Sequence, residues 1–227
     1  MTSRFDRYAQ TYDEDLNQAL SISGEDKRFF AERRVAFLAQ CLKKLGESPL
    51  SALDYGCGTG DTVPVLERVL GLQSVLGLDV SEKSLDVANR SHNHAAYKFA
   101  ALRDYSPEGN LDLVYTNGVF HHIAPEDRSI ALAYIHKCLR PRGIFAFWEN
   151  NPLNPGTRYV MSQCSFDHDA IPLRPAIAMR LLADGFEILS VNYLFFFPRF
   201  LSMFRRVEPY LTRVPLGAQY QILCRKV

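Results

Sequence analysis

The stretch Leu53–Glu67, LDYGCGTGDTVPVLE, decides the fold. An apolar run, Ser51–Tyr55, ends in three alternating glycines, Gly56, Gly58 and Gly60, and Pro64 then opens a helical pattern. Glycine lets the backbone turn sharply and approach a ligand closely, and proline is favoured in the first turn of a helix. Strand, tight turn and helix in that order make the opening unit of a parallel sheet, whose ligands gather beyond the carboxyl ends of the strands.

The same rhythm continues downstream. Short apolar runs, SVLGLDV (74–80), AAYKFAAL (95–102), LDLVYTN (111–117) and GIFAFWE (143–149), alternate with helical patterns. This argues for a parallel sheet covered on both faces. Pro125 opens one of the helices, with Glu126 and Asp127 at its positive end, and LRPRG (139–143) stops it. Upstream, Phe5, Tyr8, Tyr12 and Leu16, then Phe37, Leu38, Cys41, Leu42 and Leu45, recur at helical spacing. After Trp148 the chain becomes rich in proline and asparagine, and the segment from Glu149 to Arg174 reads as a long loop. A helix near Pro175–Ala183, a strand near Phe186–Tyr193 and a last strand near Ala218–Arg225 complete the pattern.

Composition bounds the rest. The chain has 227 residues, 47% of them apolar, and a net charge of +1, which suits one domain and gives no long-range field to gather nucleic acid. Five scattered cysteines fit neither a zinc site nor a disulfide framework, and the opening residues are polar, so a reducing cytoplasm is expected. No apolar run approaches the roughly 20 residues of a membrane span.

The ligand of the glycine turn is chosen by charge. A dinucleotide fingerprint wants glycine at position 61, where this chain has Asp61, and would set Asp54 beside a pyrophosphate, which these two acids repel. S-adenosylmethionine carries a sulfonium, an ammonium and one carboxylate, so the same acid attracts it; a charge pair at about 4 Å contributes roughly 1 to 4 kcal/mol. Asp79, at the end of the next run, is placed to accept ribose hydroxyls of either nucleoside.

Four segments in register, LDYGCGTG, LGLDVS, LDLVYTNGVFHHI and LRPRGIFAFWENNP, make the chain resemble the class I S-adenosylmethionine-dependent methyltransferases over roughly Phe5 to Glu149. The resemblance implies a Rossmann-like, doubly wound α/β fold with a seven-stranded sheet, mostly parallel with an antiparallel last strand, and an N-terminal helical lid. It implies S-adenosylmethionine as cofactor, with S-adenosylhomocysteine as product. Asp104 would correspond to the acid that contacts adenine. A single domain over 1–227 is expected, with helices over 1–46, a cofactor-binding core over 51–149, and a substrate loop and terminal strands over 150–227.

Candidate site residues follow. Asp54, Gly56, Gly58, Gly60, Asp79, Asp104 and Asn117 are assigned to the cofactor. His121 and His122 either supply a base for the acceptor's proton or close the strand by bonding to backbone. Tyr8, Tyr12 and Glu149 are assigned to the substrate side, as cover or as orienting groups. Asp112 begins its strand, far from the ligand edge, and reads as structural. No metal is expected, because the other histidines show no ligand spacing. The segment 194–213 mixes Phe195, Phe196, Phe197, Phe200 and Phe204 with arginines, which suits a lipid-like substrate, a membrane surface, a dimer face or the core. The NNP after the fifth strand is in the wrong place for a nucleic-acid amino methyltransferase.

The expected function is methyl transfer to an oxygen or nitrogen of a small molecule, such as a sugar, a lipid-linked intermediate or a secondary metabolite. The competing readings are a cofactor-binding module without turnover and a nicotinamide-dependent oxidoreductase.

Overall fold

The structure is a computed structural model that describes residues 4–8 and 12–227; the side chains at 4, 12 and 13, and with them the expectation for Tyr12, lie outside the described residues. In chain order the elements are α1 (Tyr12–Leu20), α2 (Lys27–Leu45), β1 (Ser51–Tyr55), α3 (Val63–Leu70), β2 (Ser74–Asp79), α4 (Glu82–Ser91), β3 (Tyr97–Ala101), β4 (Leu111–Asn117), α5 (Arg128–Cys138), β5 (Leu139–Asn150), α6 (Pro155–Gln163), α7 (Pro175–Leu182), β6 (Phe186–Leu194), α8 (Glu208–Leu211) and β7 (Gln219–Lys226).

All seven strands form one sheet in the order β3-β2-β1-β4-β5-β7-β6. β7 enters antiparallel to both β5 and β6, and the other pairings are parallel. The doubly wound sheet and its antiparallel last strand are as expected. Period-two alternation builds the two cores. Phe145 and Phe147 of β5 face α5 and α7 with Ile135 and Leu182, whereas Ile144, Ala146 and Trp148 face α2 and α3 with Leu38 and Leu66.

Asp112 is structural, as read. Its carboxylate accepts from the amides of Leu50 and Ser51 at 2.9 and 3.0 Å and pairs with Arg140 at 2.6 Å, tying three connections together at the edge away from the ligand side.

One expectation changes. The segment 150–174 is not plain loop, because α6 lies within it: Asn154 Oδ1 accepts from the Thr157 amide at 2.9 Å, and Pro155 takes the first helical position.

The glycine turn is braced from behind by one ring. A Cβ on Gly77 of β2 would lie 2.6 Å from Cδ1 of Phe99, and one on Gly60 would lie 2.8 Å from Cε1 of the same side chain. Gly77→Ala is therefore expected to destabilise the protein by about 1 to 3 kcal/mol in urea unfolding. Combined with Phe99→Ala, the cost should fall below the sum of the two single variants; additive losses would contradict the bracing role.

Candidate functional site

The sheet order reverses between β1 and β4, and the crevice beyond their carboxyl ends holds the site. The glycines behave as read, with φ of 77° at Gly56, 54° at Gly58 and 83° at Gly60. Gly56 is constrained twice over, since a Cβ there would also lie 2.4 Å from Val119.

The amides of this turn are already engaged. Those of Gly56 and Cys57 donate to Leu78 O at 2.7 and 3.0 Å, that of Gly58 to Asp79 Oδ2 at 2.8 Å, and that of Gly60 to Cys57 O at 2.9 Å. A nest of free amides that would cradle a diphosphate is thus largely satisfied by the protein itself. What the crevice offers instead are acceptors. Asn117 Oδ1 is buried without a hydrogen-bond partner. Asp54 is 3% exposed, and no described residue donates a hydrogen bond to its carboxyl. Burial, then the nearby Asp79 charge, push Asp54 up to about 7 against the pull of Arg34.

Asp79 lines the cleft while holding the Gly58 and Ser81 amides, each at 2.8 Å, so one carboxylate fixes the turn and the start of α4. Its oxygens keep lone pairs for further donors. Asp61 differs from its expected part. It accepts from Lys27 Nζ at 2.8 Å and from Thr59 Oγ1 at 2.7 Å, which hold it below the usual carboxylate range despite partial burial. Its charge is answered inside the protein, so the discrimination against phosphate rests on Asp54, Asp79 and the spent amides.

Three cavities meet here. A cleft of about 440 Å³ runs along Gly56, Asp79, Leu102, Val119 and Tyr134. A recess of about 510 Å³ lies on the other side of the turn, bordered by Asp54 and Arg34. A chamber of about 440 Å³ opens between α1, α2, α6 and the aromatic run Phe195–Phe197. Asn117 borders all three, and Gly118 and His122 border both the cleft and the chamber.

The remaining predicted residues divide. Phe5 and Tyr8 cover the cleft, and Tyr8 stacks edge-on to Phe166 at 6.2 Å. Asp104 borders none of the three cavities; its side chain is 66% exposed and lies 3.7 Å from Arg103, while Leu102 supplies the lining at that strand end. Glu149 is fully buried and spent: it accepts from the Phe120 amide at 2.7 Å and pairs with His121 Nδ1 at 2.6 Å. It orients His121 and borders no cavity of the site.

His121 and His122 are distinct. Burial works against charge on His121, but the Glu149 and Asp167 carboxylates outweigh it and carry the imidazole up to about 10. At neutral pH His121 is an imidazolium with no lone pair to offer. His122 Nε2 lies 3.3 Å from Asp167 Oδ1, and His121 Nε2 lies 3.4 Å from the same atom. Asp167, from the turn after α6, was not singled out in the sequence. Its carboxylate is the third partner that the spacing of the histidines did not supply, bringing three potential ligand atoms within 4.8 Å of one another.

The chamber is apolar, and the charged side chains Arg34 and Arg205 at its wall are hydrogen-bonded within the protein. Arg34 Nε donates to Tyr115 Oη, and Arg34 Nη1 donates to Gln219 Oε1, each at 3.0 Å; Arg205 pairs with Glu25 at 2.8 Å. Asn151 and Asn154 hold the connection before β7, through Gly217 O at 2.8 Å and Leu216 O at 2.7 Å, which accounts for two of the three asparagines of NNPLN. Among the described residues no helix is long and apolar enough to cross a membrane.

Comparison with known proteins agrees with this geometry. Residues 52–143 match the family described as "Methyltransferase domain". A trans-aconitate 2-methyltransferase of Methylobacterium radiotolerans is 30% identical over 148 residues, 65% of this chain and 54% of that protein. An uncharacterized methyltransferase of Synechocystis is 34% identical over 107 residues, 46% and 50% of the two chains. The chain thus spans about half the length of these curated relatives. Among solved structures, the plantazolicin methyltransferase BpumL, in complex with a desmethylPZN analog and SAH, superposes with a TM-score of 0.63 at 16% identity over 99% of each chain. An S-adenosylmethionine-dependent methyltransferase from Mesorhizobium loti gives 0.59 at 21% identity, covering 78% of this chain and 91% of that one. The chain thus resembles methyltransferases over residues 52–143, and its fold is similar to that of solved S-adenosylmethionine-dependent methyltransferases.

Proposed function

We propose that this protein transfers a methyl group from S-adenosylmethionine to an oxygen or nitrogen of a small, largely apolar acceptor. The observation that carries the reading is the junction at Asn117, Gly118 and His122, where a nucleoside-sized cleft bordered by acids opens onto a separate apolar chamber.

The residues fit the cofactor. Asp79 suits ribose hydroxyls, and Leu102, Val119 and Tyr134 offer apolar walls for a base. Asn117 Oδ1 and Asp54 are buried acceptors that a cationic amino acid end would satisfy. When bound, S-adenosylmethionine supplies a methyl on positively charged sulfur, already activated for displacement. The protein has then to hold the acceptor in line, keep water out and receive a proton. Phe166 and the aromatic run from Phe195 surround the acceptor side and exclude water. His122, bordering both cavities with Asp167 beside it, is the group to receive the acceptor's proton as its heteroatom takes the methyl. His121, held by Glu149, fixes the turn that presents it.

The chamber also argues about acceptor class. Arg34, Arg205 and Lys27 are each already engaged, with Tyr115 and Gln219, Glu25 and Asp61 respectively. Among the described residues each of these cations already has a partner, so a tricarboxylate such as trans-aconitate would have to share or displace one. In an assay of S-adenosylhomocysteine formation, apolar hydroxy or amino compounds are expected to turn over, and trans-aconitate is expected to stay at background. His122→Gln should lower kcat by about 10²-fold on any acceptor found. Turnover of trans-aconitate, or full activity in the variant, would contradict the assignment.

Asp54 gives a pH-linked test. Its folded pKa of about 7 lies above the unfolded value near 4, so the folded state holds the proton more tightly and stability falls as pH rises between them. A cation bound beside the carboxyl reverses this and expels the proton. Calorimetry of S-adenosylmethionine binding near pH 7, in buffers of different ionisation enthalpy, should show proton release that Asp54→Asn abolishes. Equal release in the variant would remove Asp54 from the ligand's surroundings.

A further inference from the structure

The segment after Pro198 exposes more apolar surface than its neighbours in the fold require. Over Arg199–Leu211, Phe200 is 77% exposed, Met203 74%, Phe204 46%, Val207 44% and Tyr210 86%. Single exposed apolar residues are ordinary, but five within eleven residues form a patch. Two anchors show that the segment is held in this orientation. Glu208 is buried and accepts from the amides of Phe196 and Phe197, each at 3.1 Å, and Arg205 turns inward, 4.7 Å from the Phe29 ring centroid and paired with Glu25. The apolar side chains therefore face outward on a segment fixed from beneath.

The exposed charge of the segment that carries the patch has one sign. From Ile188 to Val227 the sequence contains a single acid, Glu208, and it is the buried one. Arg199, Arg206 and Arg213 are exposed beside the aromatics. The patch is also continuous with the chamber, since Phe200 borders the cavity while most of its surface faces outward. Ile22, 57% exposed, extends the rim, because Arg199 packs against Gly24 in the same turn.

We propose that this face docks on an anionic lipid surface, with Phe200, Met203, Phe204 and Tyr210 at the level of the headgroups and the arginines against lipid phosphates. Aromatic and thioether side chains enter the boundary between headgroup and acyl chain, and arginine contributes attraction that salt screens. A second copy of this chain is the less favoured occupant, because an isologous contact would set three exposed arginines against three more with no exposed acid in the segment to answer them. The chamber mouth then opens toward the membrane, so a lipid-like acceptor reaches the site along an apolar path.

The test is flotation of the full chain with phosphatidylcholine vesicles, with and without phosphatidylglycerol at about one lipid in three. The chain is expected to float with anionic vesicles, to bind neutral ones at least about 10-fold more weakly, and to be released by salt. Arg206→Glu and the pair Met203→Ser with Tyr210→Ser, none of which borders the chamber, should each reduce flotation several-fold while leaving S-adenosylmethionine binding unchanged. No retention on anionic vesicles at low ionic strength overturns the proposal. So does a concentration-dependent dimer that the serine pair converts to monomer while vesicles retain nothing. The readout needs neither cofactor nor acceptor, so its failure is separate from any failure of the methyl-transfer reading.

Discussion

One carboxylate holds the site together. Asp79, at the end of β2, receives the amide of Gly58 from one side and that of Ser81 from the other. This joins the glycine turn, the second strand and the fourth helix at a single half-buried point. Leu78 O takes two more amides from the same turn. With most of the turn's donors engaged, the crevice at the strand-order reversal is lined by unmet acceptors, Asp54 and Asn117 Oδ1. A positively charged nucleoside suits that lining, and a diphosphate does not.

The same economy appears on the acceptor side. Cations at the chamber already have partners in the protein, Arg34 in Gln219 and Arg205 in Glu25, and the space beside them is lined by aromatic side chains. His121 is fixed as a charged strut between two carboxylates, which leaves His122 at the junction of the cavities. The segment that closes the chamber is also the one that presents aromatics and arginines to the outside, so recognition of an acceptor and its delivery share one structural element.

Much of this was legible in the sequence where the information is local. The glycine turn, Asp79 and Asn117 could be placed because strand ends and tight turns announce themselves within a few residues. α6 was legible too, in the Asn154-Pro155 pair, but was hidden by a proline-rich stretch that also suits a loop. Other features depend on contacts far apart in the chain. Asp61 loses its repulsive part through Lys27, 34 residues upstream. Glu149 lies at the ligand edge of its strand as read, yet its carboxylate turns to His121. Asp167 joins the histidines only because α6 folds its following turn over them. Asp104 occupies a strand end in sequence but leaves the cleft to Leu102, since the backbone turns through a 3₁₀ segment there.

The central claim is that this crevice prefers a cationic nucleoside to a phosphorylated one. Competition between S-adenosylmethionine and NADH for the native protein tests it most directly. The account predicts that S-adenosylmethionine binds at least about 10-fold more tightly, a difference of roughly 1.4 kcal/mol or more, and that Asp54→Asn narrows the gap. Equal or tighter binding of the dinucleotide at the same site would contradict it.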